Sequence, residues 1–188
     1  MITLNPQTTA LVLIDLQNGI ISFPLAPRTG TEVLDTGMKL AQTFRDAKAP
    51  VVLVNVGWSK DRGEHLNPTV DRPMPSPTGG YPPEWSKLAP DLAKPTDILV
   101  TKHQWGAFYG TDLDVQLRRR GIKTIVLGGI ATNIGVESTA RQALEAGYEV
   151  VIAEDATTTL SADMQNFAVN TIFPLISRVV KSGDVILQ

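Results

Sequence analysis

The chain has no cysteine. That single absence excludes disulfides, thiolate metal sites and thiol nucleophiles together. A dominant charge is missing as well: 17 Lys and Arg against 19 Asp and Glu leave a formal charge of -2. So slight an imbalance makes no broad field for nucleic acid or an anionic membrane, and neither is expected as a partner. Long hydrophobic runs are absent too. "ALVLIDL" and "VVLVNVG" are strand-sized, well short of the roughly 20 residues of a membrane span. The opening "MITLNPQTTA" has no positive n-region and no apolar h-region, so the expectation is no export and a cytoplasmic location. No internal repeat beyond a strand–helix unit and no low-complexity tract is visible.

What is present is an ordinary globular composition, 43% hydrophobic over 188 residues. That is enough for a substantial core, and residues 1–188 read as a single domain. Six runs read as strands: residues 10–16, 51–57, 97–102, 124–130, 148–155 and, more weakly, 177–182. They lack apolar/polar alternation, as strands covered on both faces do. Helical patterns alternate with them, in "TEVLDTGMKLAQTFRDAKA", "TDLDVQLRRRG", "NIGVESTARQALEAG" and "SADMQNFAVNTIFPLI". Thr111 with Asp114 reads as a capping box, and Gly121 and Gly147 stand where helices should stop. The series predicts a three-layer α/β/α sandwich with a parallel, Rossmann-like sheet of about six strands and right-handed crossovers.

Residues 58–95 break the rhythm. They hold eight of the thirteen prolines together with Trp58, Tyr81 and Trp85, and show no periodicity. Aromatics in so long a loop argue for packing, over an active site or against a neighbouring subunit.

In open parallel sheets, ligands bind outside the carboxyl ends of the strands. Asp15 closes the first long strand run, Lys102 closes "DILVTK", and Gly135 opens the helix after "TIVLGGI". An Asp ending an apolar strand needs a partner, and Lys102 supplies one. A structural ion pair or helix cap is the plainer alternative to a catalytic pair. The turn "GGIATNIG" matches neither the dinucleotide nor the P-loop pattern, so no nucleotide cofactor is expected. Its backbone amides suit an anion or a developing oxyanion, with Asn133 as a candidate N-cap.

"GGIATNIGVESTARQALEAGYEV", residues 128–150, resembles the signature of the isochorismatase-like hydrolases, the cysteine hydrolase superfamily. The likeness extends to "VLIDLQNG" and to "TKHQWGAFYGTDLDVQLRRRGIKTIVLGG", and covers nearly the whole chain in order and spacing. The details "KHQWGAFYGTDL" and "TNIGVESTAR" are most similar to a YecD-like branch without the cysteine. The resemblance implies that Asp15 and Lys102 are the catalytic acid/base and its lysine, and that Gly135 occupies the nucleophile position. It also implies a cis peptide between Ile130 and Ala131, with the Ala131 and Gly135 amides as oxyanion donors. Metal-binding relatives carry a D-x-H arrangement that "VNVGWSKDRGEH" lacks. His65 then reads as a loop histidine and His103 as a polar neighbour of Lys102; no metal and no cofactor are expected.

Without a thiol, ordinary covalent amidase chemistry is excluded. Ser138 and Thr139 lie one turn further along the helix and read as packing elements rather than substitutes. The resemblance offers a route without a nucleophilic side chain: the aspartate protonates an enol ether and water captures the cation, which requires a raised Asp15 pKa. Isochorismate itself is disfavoured. Relatives that cleave it show V-Y-A-H and K-x-R-Y-S-A-F, whereas this chain has "IATN" and "KHQWGAF", with Gln104 at the arginine's place and Gly106 at the serine's. Arg118, Arg119 and Arg120 look like a solvated helix face. Phe23, Trp105, Phe108 and Asn133 are the expected pocket residues, with core packing as the alternative for the three aromatics. The expectation is a small-molecule hydrolase, with a catalytically silent binding protein as the alternative, assembled as a homodimer or larger.

Overall fold

The apolar runs form one sheet: its central strands Thr9–Ile14 and Thr124–Ile130 are buried on both faces, whereas the edge strand Ile98–Lys102, expected to be covered on both, leaves Leu99 and Thr101 exposed. The structure, a computed structural model, describes residues 1–74 and 80–188. Its strands are β1 (Ile2–Leu4), β2 (Thr9–Ile14), β3 (Val51–Val56), β4 (Ile98–Lys102), β5 (Thr124–Ile130), β6 (Glu149–Thr158), β7 (Arg178–Val180) and β8 (Val185–Leu187). Six of them pair in parallel in the order β4-β3-β2-β5-β6-β7, while β1 and β8 make a separate parallel pair. The three-residue strands β1 and β8 are too short for a hydrophobic period to betray them.

The helices are α1 (Asn18–Ile21), α2 (Gly30–Asp46), α3 (Leu113–Arg119), α4 (Glu137–Glu145), α5 (Ala162–Phe167) and α6 (Phe173–Ile176). Successive side chains of a strand point to opposite faces. Accordingly Ala10, Val12 and Ile14 join one core with Leu113 and Leu117 of α3, Ala140 and Ala143 of α4 and Phe173 of α6. Leu11 and Leu13 join the other, with Val33, Leu40, Ala41 and Phe44 of α2. Three layers result. No helix among the described residues is long and apolar enough to cross a membrane.

The chain's own capping chemistry differs from the expected one. Thr111 does not cap α3 through Asp114. Its hydroxyl donates to the Ala107 carbonyl and accepts from Leu113 N–H, so the helix begins at Leu113 without a side-chain cap. Asp114 instead bonds Arg118 and the Tyr148 hydroxyl. The real capping box belongs to α2, where Thr29 accepts from Glu32 N–H and the Glu32 carboxylate accepts from Thr29 N–H. Such a cap contributes about 1 kcal/mol. Gly121 and Gly147 follow α3 and α4 with positive φ, as helix stops do. The last helical pattern is broken into α5, a wide π turn at Ala168–Ile172, and α6. Pro174 lacks the N–H that an unbroken helix would donate to Asn170.

Residues 75–79 of the proline-rich segment lie outside the described residues. Around them the loop packs on itself: Tyr81 stacks on Trp85 at 4.1 Å and on Trp58 at 5.7 Å. Its return path is pinned by Gln17, whose side chain accepts from Val56 N–H and donates to the Val56 and Trp85 carbonyls.

Arg45, at the end of α2, holds the loop before β4 by a two-pronged bond to Asp97, 3.0 and 2.6 Å, and a third to Leu92 O. The Asp97 side chain is 1% exposed. Arg45→Ala removes the charge that pairs with this buried carboxylate and leaves it the Lys94 N–H. We expect unfolding free energy to fall by about 3 kcal/mol in urea titrations; a fall below about 1 kcal/mol would show the pair to be dispensable.

Candidate active site

Strand order reverses between β2 and β5, the place where open sheets bind ligands. Asp15 follows β2 and still donates its N–H to Val54 O at 2.8 Å. It then takes φ +54°, a left-handed conformation that Asp tolerates better than most residues. That turn ends the strand and leaves the carboxyl at the sheet's rim. Gly129 brings β5 against the same rim. It has φ +117°, and any Cβ there would overlap the Ile14 carbonyl, so only glycine lets the two strand ends approach this closely.

Lys102 ends β4, two strands away, and reaches across the end of β3. Its Nζ lies 2.9 Å from Asp15 Oδ2 and donates to the Gln104 carbonyl at 3.0 Å. The two side chains are 2% and 6% exposed. The second carboxylate oxygen, Asp15 Oδ1, is buried and has no protein partner. Burial pushes the Asp15 carboxyl up; the Lys102 ammonium and its hydrogen bond pull it down but do not cancel the rise.

Gly135 stands beside this pair. A Cβ on it would meet Ile14 Cγ2 at 3.1 Å, and Asp15 Oδ2 and the Trp105 carbonyl at 3.4 Å each. A side chain here would therefore enter the site between those two oxygens. The residue lies in a wide π turn, Thr132–Val136, ahead of α4 rather than in that helix's first turn. The Ile130–Ala131 peptide bond is cis, and the Ala131 carbonyl accepts from both Ile134 and Val136 N–H.

Asn133 is not an N-cap. Its side-chain oxygen accepts the Thr159 hydroxyl at 2.5 Å, which ties the turn to the end of β6. Thr132 adds a second tie through Gln165, which in turn donates to Thr157. This buried threonine–glutamine chain has no signature in the sequence beyond the run "ATTT", which reads simply as the end of a strand. Phe108 sits ring to ring with Tyr148 at 5.8 Å and packs, partly buried, against the core. Phe23 and Trp105 are 42% and 51% exposed.

The two histidines serve the loop. His65 lies against the Trp58 ring, and His103 Nδ1 bonds the Gly57 carbonyl while its own carbonyl accepts from Trp58. Among the described residues no group of three or more His, Cys, Asp or Glu is placed to hold a metal. Two surface hollows of about 350 and 370 Å³ lie apart from the Asp15 pair, one beside Arg45 and Arg120, the other beside Arg28 and Asp155.

The Isochorismatase domain family matches residues 9–184. The isochorismatase family protein YecD of Escherichia coli O157:H7 is 54% identical over 187 residues, 99% of this chain and 98% of that protein. The ureidoacrylate amidohydrolase RutB of Rhizobium rhizogenes is 33% identical, over 86% of this chain and 75% of that one. An isochorismatase family protein from Burkholderia thailandensis superimposes with a TM-score of 0.92 at 53% identity, covering 97% of this chain and 95% of that one. With sheet and sequence in agreement, the chain belongs to the isochorismatase family of hydrolases.

Proposed function

We propose that the protein hydrolyses a small molecule without a covalent enzyme intermediate, with Asp15 as the general acid and base. One observation carries this most directly. A buried carboxyl has one oxygen on Lys102 and the other, Oδ1, without a protein partner, beside a residue that offers no side chain. Burial raises its pKa, which favours the protonated form that a general acid needs. Its Oδ2 lies 3.4 Å from a Cβ placed on Gly135, so the carboxyl borders the vacated space and passes its proton to a substrate there. Lys102 holds Oδ2 and stabilises the carboxylate left after transfer.

In this scheme Asp15 protonates the carbon of an enol ether, or the leaving group of a related substrate. Water adds to the resulting cation and returns a proton to Asp15. For an ester or amide substrate, where water adds to a carbonyl, the amides of Ala131 and Gly135 stabilise the negative charge that develops on the carbonyl oxygen. Phe23, Trp105 and Asn133 border the pocket. The scheme calls for no metal or cofactor.

A second reading is a silent binding protein that keeps the pocket. It is favoured by the lack of any nucleophilic side chain at position 135 and by the commitment of the nearby Thr139 hydroxyl to two backbone groups. The two readings separate in a turnover screen by mass spectrometry, using enol ethers, carboxylic esters and primary amides, starting with ethyl vinyl ether, p-nitrophenyl acetate and benzamide. Turnover by wild type that is lost in Asp15→Asn supports hydrolysis. No turnover of any compound, with binding retained, supports the silent protein.

The proposal includes a homo-oligomer, the aromatic segment after β3 bordering a neighbour. Light scattering at micromolar concentration should give a dimer or larger; a strictly monomeric species would refute this part.

A further inference from the structure

The loop after β4 lies across the site, and its hold on the turn after β5 runs through one side chain. Thr139 is fully buried on α4. Its hydroxyl donates to the Gly135 carbonyl at 2.7 Å, the usual bond of a helical threonine to the fourth residue back. It also accepts the Ala107 N–H at 3.1 Å, which is not a helix contact. One oxygen thus joins the Gly135 turn to the 104–108 strap. Three residues further along α4, Gln142 accepts the Phe108 N–H at 3.4 Å, and its side chain occupies the space a Cβ on Gly106 would need. At the strap's other end, Lys102 Nζ donates to the Gln104 carbonyl.

Between these fixed points lies Trp105, whose carbonyl faces the path of a side chain from Gly135, 3.4 Å from the Cβ position and level with Asp15 Oδ2. We infer that Thr139 is a positioning residue of the active site, setting the distance between the Gly135 turn and the Trp105 carbonyl so that this carbonyl and Asp15 together face the reacting group. The inference rests on the hydrolytic function proposed above. It also gives the carbonyl a chemical role, because an acceptor beside Asp15 orients a donor, either the attacking water or an N–H or O–H of the substrate. The same role explains why the strap is fastened to α4 by two side chains when Trp105 within it and Tyr109 just after it stay exposed.

Two variants of the same residue test it. Thr139→Val keeps the shape and removes both bonds, whereas Thr139→Ser keeps the hydroxyl. Crystal structures should show the Trp105 carbonyl displaced by about 1 Å or more in the Val variant, a shift large enough to cost on the order of 100-fold in rate, and unmoved in the Ser variant. On the panel compound that wild type turns over fastest, kcat per folded molecule should fall at least about 10-fold for Val, with KM within about threefold, and Ser should restore it. A threonine that only stabilises the fold would lower the melting temperature and leave kcat per folded molecule unchanged.

A strap that stays in place in Thr139→Val overturns the inference. So does a strap that moves without changing kcat. If wild type turns over no panel compound, the proposed hydrolysis fails and the catalytic part of this inference falls with it, while the crystal structures still decide whether Thr139 sets the strap's position.

Discussion

Asp15→Asn is expected to lower turnover by about 10²–10⁴-fold, the range lost with a general acid or base. The carboxamide keeps nearly the same shape and still offers an oxygen to Lys102, so substrate binding should change little. What it loses is the exchangeable proton. The same variant reports on stability, because the folded protein holds the Asp15 carboxyl above the ordinary value of 3.8, chiefly through burial. A raised acid favours the fold in its protonated form. Its contribution is therefore complete below about pH 3.8 and is lost as pH rises through the folded value. Asparagine has no such loss. The stability difference between wild type and Asp15→Asn should move in the variant's favour as pH climbs from about 4, and then level off. A difference that is flat across that window, or that moves the other way, would contradict a raised Asp15.

Lys102→Met should produce the largest stability effect of any substitution at the site. Methionine replaces most of the buried stem, so the packing loss is small. The ammonium disappears, and with it both influences that pull the Asp15 carboxyl down. Burial then acts on Asp15 unopposed and its pKa climbs further. Above that value the fold must hold an unpaired buried carboxylate, at a cost of about 3–5 kcal/mol; below it the carboxyl is neutral and the cost is smaller. Urea unfolding at about pH 5 and about pH 8 should show the gap to wild type widening at the higher pH. Equal gaps at the two pH values would mean that Lys102 acts through packing alone.

The two effects together explain why this site is legible in the sequence to the extent that it is. Asp15 stands out because a charged residue ends an apolar run, and Lys102 because another ends a neighbouring run; period and polarity locate both. The sheet follows from the same pattern, since strands covered on both faces read as continuous apolar stretches. Side-chain hydrogen bonding is less visible. Thr111 and Asp114 have capping-box spacing, yet Thr111 turns back to the Ala107 carbonyl, and Asp114 is taken by Tyr148 and Arg118. Thr29 and Glu32 do form the box, and there the acid is a glutamate, long enough to reach back to the cap amide, where position 114 has only aspartate.

Asn133 shows the same limit. It has the residue type and place of an N-cap, but Thr159, distant in sequence, claims its oxygen. Thr139 is one threonine among several in the chain until the fold sets Ala107 N–H against it. Gly135 carries its information differently. Its lack of a side chain is plain from the sequence, but what surrounds that missing side chain, an acid and a carbonyl, depends on three strand ends meeting at one rim.

The proposed hydrolysis depends above all on Asp15 holding a proton that it can deliver. Carbon-13 NMR of the carboxyl groups, with Asp15→Asn used to assign the resonance, measures that proton without needing a substrate. The Asp15 carboxyl should titrate clearly above 3.8, the ordinary aspartate value. A carboxyl that titrates at or below that value would be ionised throughout the neutral range, and Asp15 would not be the acid of this site.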